Sequence, residues 1–210
     1  EKFMSLFITL EGPEGSGKSS VMEKVYQKLL SEGYEIVKTR EPGGTPIGEQ
    51  IRNVILNQDN TKMDIRTECL LFAASRRQHL VEKIWPSIKQ GKLVFCDRYL
   101  DSSLAYQGYA RKLGIDNVLN VNLFATENTY PDLTLFFDVT PEIGLERINK
   151  NHNREVNRLD VEKLEFHKNV YQGYICLLKM YPERIKRIDA SKPFDEVVEE
   201  TYNLIKGYLK

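Results

Sequence analysis

The octapeptide Gly12-Pro13-Glu14-Gly15-Ser16-Gly17-Lys18-Ser19 constrains this chain more than any other stretch, because it fits G-x-x-x-x-G-K-[ST] and lies between two different periodicities. Before it, "LFITL" (6–10) is a short apolar run with a β-branched centre, read as a buried strand. After it, Val21, Val25 and Leu29 recur at helical spacing. A strand, a glycine-rich turn and a helix in that order make a loop whose backbone N–H groups face inward, with the helix N-terminus adding positive potential. Such a loop binds polyphosphate. Residues 12–20 are therefore assigned to a nucleoside triphosphate: Gly12, Pro13, Glu14, Gly15, Ser16, Gly17 and Ser20 as the cradle, Lys18 across the β- and γ-phosphates, and Ser19 as a hydroxyl ligand to Mg²⁺. Glu14 alone does not suit an anion cradle.

The rest of the chain alternates in the same way. "YEIVKT" (34–39), "KLVFCD" (92–97), "DLTLFFDV" (132–139) and "RIKRID" (184–189) read as further strands. Stretches 17–32, 45–57, 64–90, 102–126, 140–150, 160–181 and 193–209 read as helices, some of them broken. Five strands separated by helices predict an α/β fold of the P-loop NTP hydrolase type: a five-stranded parallel sheet with helices on both faces, its first three or four strands central. The last helix, with Val197, Thr201, Leu204, Ile205 and Tyr208 at helical spacing behind Pro193, reads as scaffold. Between two helices, "NKNHNREVNR" (149–158) is polar and almost free of apolar residues, which suits a solvated loop or a moving lid.

Composition narrows the partners. Thirty basic residues balance thirty acidic ones, so no net field favours nucleic acid or an anionic membrane, and 210 residues without a linker-like shift predict one domain over 1–210. Cys69, Cys96 and Cys176 form no C-x-x-C and no even set, which points to reduced thiols and a cytoplasmic protein. His79, His152 and His167 share no ligand spacing with them, so no dedicated histidine metal site is expected. The run "FMSLFITL" is too short for a membrane span and lacks a small-residue cleavage site. Met4 is expected as the natural start, with residues 1–3 a non-native extension.

Asp97, at the end of "KLVFCD", is placed to hold Mg²⁺ directly or through water, although an Asp there is often a helix cap. No N-K-x-D of a guanine-reading GTPase is present. A small kinase also needs cationic groups for its acceptor, and here longer matches appear. "EGPEGSGKSS" (11–20), "TREPGGTPIGEQIR" (39–52), "LLFAASRRQHL" (70–80) and "DRYLDSSLAYQGYAR" (97–111) follow one another in the order and spacing of bacterial-type thymidylate kinases, which the chain resembles from Met4 to Lys210.

The resemblance implies a nucleoside monophosphate kinase that moves the γ-phosphoryl group of ATP to dTMP, with Mg²⁺ as cofactor, in dTTP synthesis. It implies that Arg98 holds the acceptor phosphate with help from Arg52, that Phe72 stacks on thymine, and that Arg76 reaches a carbonyl of the base. On its own pattern Phe72 reads equally as a core residue. On the same resemblance Ser103 and Gln107, four apart and so on one helix face, would present a hydroxyl and an amide to the thymine edge, and Tyr106 resembles the family tyrosine that packs beneath the sugar, excluding a ribose 2′-hydroxyl. Glu41-Pro42 resembles a family turn whose peptide bond is cis, with Glu41 approaching the sugar.

Since the acceptor is already an anion, positioning and charge neutralisation should suffice without a strong base. Some relatives carry an arginine inside the loop, where Pro13 and Glu14 stand here, and others supply it from the lid. Residues 146–160 offer Arg154, Arg147, Arg158 and Lys150, in that order of expectation, with Arg158 placed on the ATP side. Glu14 is then expected to face the acceptor sugar, a Mg²⁺-bound water or an arginine. A homodimer built through helices is implied as well. The alternatives are another (deoxy)nucleoside monophosphate kinase, or an ATP-binding regulatory module that transfers nothing.

Overall fold

The computed structural model describes residues 5–209, so the expected start at Met4 lies outside them. The strands are β1 (Phe7–Glu11), β2 (Ile36–Arg40), β3 (Leu93–Asp97), β4 (Leu133–Asp138) and β5 (Ile185–Asp189), all parallel, in the order β2-β3-β1-β4-β5. The sheet is that of the expected α/β P-loop fold. One expectation needs correction: β2 is an edge strand with a half-exposed pattern, and the centre belongs to β3, β1 and β4.

Strand side chains alternate between faces, and the two cores follow that period. Ile8, Leu10, Leu93, Phe95, Leu135 and Phe137 pack on one face against Val21, Val25 and Leu29 of α1 (Lys18–Ser31) and Val197 and Ile205 of α9 (Phe194–Tyr208). Phe7, Val94, Cys96 and Phe136 point to the other face, where a second group of helices lies. Those are α3 (Ile65–His79), α5 (Leu100–Ser103), α6 (Ile115–Thr126) and α8 (Leu164–Met180); α2 (Pro46–Leu56) packs against α3, and α7 (Pro141–Lys150) follows β4.

Two expected helices are interrupted. The stretch 64–90 runs as α3, then a wide π segment Leu80–Ile84, then α4 (Trp85–Lys89), and Pro86, which has no N–H to give to a preceding turn, lies in the first turn of α4. The stretch 102–126 begins earlier, as α5 continued by a π segment Leu104–Ala110, and breaks before α6 where Lys112 and Gly114 take φ of 60° and 91°. The helix expected over 160–181 starts at Leu164, preceded by a turn over 158–161.

The chain leaves β1 outward to β2, returns to β3, then crosses to β4 on the other side. Crevices beyond the C-terminal ends of strands at such a reversal are the ligand sites of open parallel sheets. The loop after β1 and the Asp97-Arg98 pair after β3 both sit there.

Candidate active site

At the loop, backbone fit demands glycine. Gly15 has φ 76°, and a Cβ there would stand 2.2 Å from the Gly144 carbonyl oxygen of α7. Lys18 is buried, with Nζ 3.4 Å from Asp97 Oδ1, and Ser19 Oγ donates to Asp97 Oδ2 at 2.9 Å. Asp97 Oδ1 is itself buried without a hydrogen bond, as is Ser16 Oγ. A hydroxyl beside an under-satisfied carboxylate is a hard oxygen pair suited to a divalent cation. A second group of ligand-type atoms, on Glu41, His79 and Cys96, lies within 4.8 Å but is buried and already bonded: His79 Nδ1 to Glu41, His79 Nε2 to Thr39, and Cys96 Sγ to the Arg98 carbonyl. That group reads as internal polar structure.

From the loop a cleft of about 820 Å³, its mouth included, runs toward α3 and the helix 100–110. Its walls carry Glu14, Lys18, Ser19 and Asp97, then Arg98 and Arg52, then Glu41, Pro42, Phe72, Ser103, Tyr106 and Gln107. One cleft therefore holds phosphate-loop groups, two arginines and an aromatic and amide lining, a size and mixture typical of a small-ligand site. The Glu41–Pro42 bond is cis, as expected. Gln107 Oε1 is buried without a partner.

Arg98 joins the two parts. It takes φ 69°, and its guanidinium donates to Glu14 at 2.9 Å, to Tyr174 at 3.1 Å and to Ser102 at 3.2 Å, 5.4 Å from the centre of the Tyr106 ring. Arg52 donates to the Pro42 carbonyl at 3.0 Å, and among the described residues no carboxylate pairs with it directly. Burial lowers the pKa of its guanidinium, with Arg40 adding to the effect. An under-neutralised cation in a cleft is a place for an anion.

Glu14 carries the most loaded carboxylate of the loop. Burial opposes its charge, but Lys18, Arg98 and Arg154 together reverse that and hold its pKa well below the usual carboxylate range. Of the three contacts expected for Glu14, the structure shows the arginines. Beneath Arg98 lies a different acid. Glu11 accepts from the N–H groups of Tyr99 and Ser102, from Ser102 Oγ and from Tyr174, while burial, with Asp101 adding, pushes its carboxyl up to about 7.

The four expected lid cations separate. Arg154 donates to Glu14 at 3.0 Å and to Asp160 at 2.9 Å, and its Nη1 is buried without a partner. Arg147 spans the Gly15 and Ala190 carbonyls, bracing the loop from behind. Lys150 is 74% exposed and, among the described residues, pairs only with Glu146. Arg158 is a correction: instead of the ATP side it is buried against α2 and α3, donating to Glu68 and to the Ile55 carbonyl, which the helix end of α2 leaves free. Arg76 also departs from expectation. It does not line the cleft, and its donors go to Glu41, Ser103, Asn122 and the Tyr99 carbonyl.

Other cleft residues carried no signal strong enough to be singled out: Arg40, Asn157, Asp160 and His167. Arg40 stands inside "TREPGG", so its place in a matched motif was the available clue.

Comparison with known proteins follows the same lines. The thymidylate kinase family profile matches residues 10–201. The thymidylate kinase of Clostridium novyi (strain NT) is 59% identical over 204 residues, covering 97% of this chain and 98% of that protein. The thymidylate kinase of Bacillus pumilus (strain SAFR-032) is 55% identical over 205 residues, covering 98% and 97%. A crystal structure of thymidylate kinase from Ehrlichia chaffeensis superposes with a TM-score of 0.77 at 32% identity, over 97% of this chain and 99% of that one.

Proposed function

Because the chain belongs to the thymidylate kinase family, and so transfers the γ-phosphoryl group of ATP to dTMP, we propose how its own residues divide that reaction. The loop 12–20 holds the ATP phosphates, with Lys18 reaching the β- and γ-oxygens. Arg98 and Arg52 hold the dTMP phosphate, an anion that needs no general base. Catalysis is then in-line placement of two anions by cations fixed before they meet.

Arg154 is the cation that moves. It rests on Glu14, and its unpartnered Nη1 makes it the lid group best placed to follow the transferred phosphoryl, while Arg147 keeps the loop in shape. Glu14 acts as the mobile arginine's resting partner and as an anchor for Arg98. Ser19 and Asp97 are the residues that would hold Mg²⁺. When bound, that ion neutralises charge between the β- and γ-phosphates.

On the acceptor side, Phe72 stacks on thymine, and Gln107 and Ser103 meet its polar edge. Tyr106 lies under the sugar and Glu41-Pro42 closes the wall. Arg76 acts through Ser103 and Glu41, whose positions it sets. The observation that carries the scheme is that Lys18, Ser19 and Asp97 share one cleft with Phe72, Ser103 and Gln107.

The chain is further read as a homodimer in the cytoplasm. Supporting the dimer, Val54, Leu70 and Phe124, on α2, α3 and α6, are exposed apolar side chains, Phe124 to 90%. No helix among the described residues is long and apolar enough to cross a membrane. Steady-state ADP release with dTMP, dUMP, AMP, dGMP and thymidine tests the site scheme: dTMP should be the preferred acceptor, and an absence of dTMP-dependent ADP would overturn it. Sedimentation of wild type and Phe124→Asp tests the dimer, which a monomeric wild type would refute.

A further inference from the structure

Glu68 lies on α3, does not line the cleft, and is 1% exposed. Its carboxylate collects three side chains from two segments, 104–111 and 157–163. Gln107 Nε2 donates to it at 2.8 Å, Arg111 Nε and Nη2 at 3.3 Å, and Arg158 Nη2 at 2.5 Å. Burial opposes the charge, yet Arg111, Gln107 and Arg158 outweigh it and hold the carboxyl below its usual range, so it is ionised at neutral pH.

An ionised carboxylate only accepts hydrogen bonds. The side-chain amide of Gln107 therefore has one orientation open to it: its NH₂ toward Glu68 and its carbonyl the other way. The carbonyl end, Oε1, is the buried atom left without a partner, in a residue that lines the cleft. A buried acceptor with nothing to accept is a demand for a donor.

We propose that Glu68 is a positioning residue for base recognition: by taking the NH₂ of Gln107 it commits Oε1 to the base. This rests on the reading above that Gln107 meets the thymine edge, and it adds which end of the amide does so and why. Thymine presents N3–H, which Oε1 can accept. Cytosine presents a lone pair at N3, which Oε1 repels. The same carboxylate anchors Arg158, whose backbone N–H also bonds the Leu56 carbonyl. The neighbouring Asn157, Leu159 and Asp160 line the cleft, so base reader and covering segment share one buried anion.

The test compares kcat/KM for dTMP and dCMP in wild type, Glu68→Gln and Gln107→Ala. A neutral amide at position 68 donates as readily as it accepts, so Gln107 regains both orientations. The dTMP-to-dCMP ratio of Glu68→Gln should then fall by about tenfold or more, with the change in KM rather than in kcat. A packing role alone would lower both substrates together, and an unchanged ratio overturns the proposal. Gln107→Ala separates the two levels. If it leaves the ratio unchanged, Gln107 does not read the base and the underlying reading falls as well. If it shifts the ratio while Glu68→Gln does not, the Glu68 proposal falls alone. The wild-type protein supplies a measurement that needs no variant to fold. In its ¹⁵N spectrum the Gln107 side-chain amide protons should be shifted downfield and protected from exchange before any nucleotide is added, and free-amide shifts with fast exchange would overturn the proposal.

Discussion

Arg76 and Arg154 both meet two polar partners or more, but behind different walls of the cleft, Arg76 through Glu41 and Ser103 and Arg154 through Glu14 and Asp160, and with opposite freedom. Arg76 is 1% exposed and gives four hydrogen bonds, to Glu41, Ser103, Asn122 and the Tyr99 carbonyl, tying α3, α6 and the ends of β2 and β3 together. Arg154 keeps 22% of its side chain exposed, rests on Glu14 and Asp160, and leaves Nη1 unpartnered. Moving Arg76 would strand a buried carboxylate, whereas moving Arg154 toward a phosphate exchanges one anion for another. On the proposed scheme the acceptor end is thus built before the ligand arrives, and the donor end is completed by it.

Substitutions should divide along that line. The largest effect falls on turnover at the donor end: Lys18→Ala should lower kcat by about a thousandfold or more with little change in Tm, since the partner it serves is a ligand charge. Arg98→Ala comes next, with kcat/KM for dTMP down by about a hundredfold or more and a small loss of stability. Near-normal turnover by either variant would break the assignment. Arg76→Ala should do the reverse, costing about 3 kcal/mol or more of folding stability by leaving Glu41 buried without its cation, as denaturant unfolding would show. If Arg76→Ala unfolds like wild type, the acceptor end is not prebuilt in the sense meant here.

Smaller effects sharpen the same contrast. Arg154→Ala should reduce kcat by about tenfold or more and Lys150→Ala should not, since Lys150 is 74% exposed in an i,i+4 pair with Glu146. Equal losses in both would mean that the segment contributes only general charge. The mildest test concerns pH. Glu11 has a folded pKa raised from 4.5 to about 7, so its contribution to stability is fully present below about 4.5 and lost as pH rises through 7. Glu14, lowered instead, contributes above 4.5 and loses its contribution only as pH falls below that. Thermal melts of Glu11→Gln should accordingly show a flatter stability profile than wild type between pH 5 and 8, and an unchanged slope would remove Glu11 as its source.

What was legible beforehand follows the same physics. The loop, the strand alternation and the matched motifs lie in contiguous residues, where spacing alone carries the information: Gly12 to Ser19, or Phe72 within "LLFAASRR". Breaks at Pro86 and Gly114 had local signals but uncertain weight against long helical patterns. Glu68 and Glu11 had none. Glu68 meets Gln107 across 39 residues and Glu11 meets Tyr174 across 163, so their significance exists only once the chain has folded. Arg158 shows the same limit from the other side: in a run of polar residues it reads as one more lid cation, and only the carbonyl of Ile55 and the carboxylate of Glu68 show it as a buried tie.

The contrast between a prebuilt acceptor end and an assembling donor end is tested most directly by hydrogen–deuterium exchange of the protein alone, with dTMP, and with dTMP plus a non-hydrolysable ATP analogue and Mg²⁺. The account predicts that the amides of α3 and of residues 100–110 are strongly protected in the free protein and change little, while 151–156, which carries Arg154 outside regular structure, exchanges fast and gains protection only when the ATP analogue is present. Strong protection of 151–156 without nucleotide, or weak protection of α3 and 100–110 until dTMP binds, would contradict it.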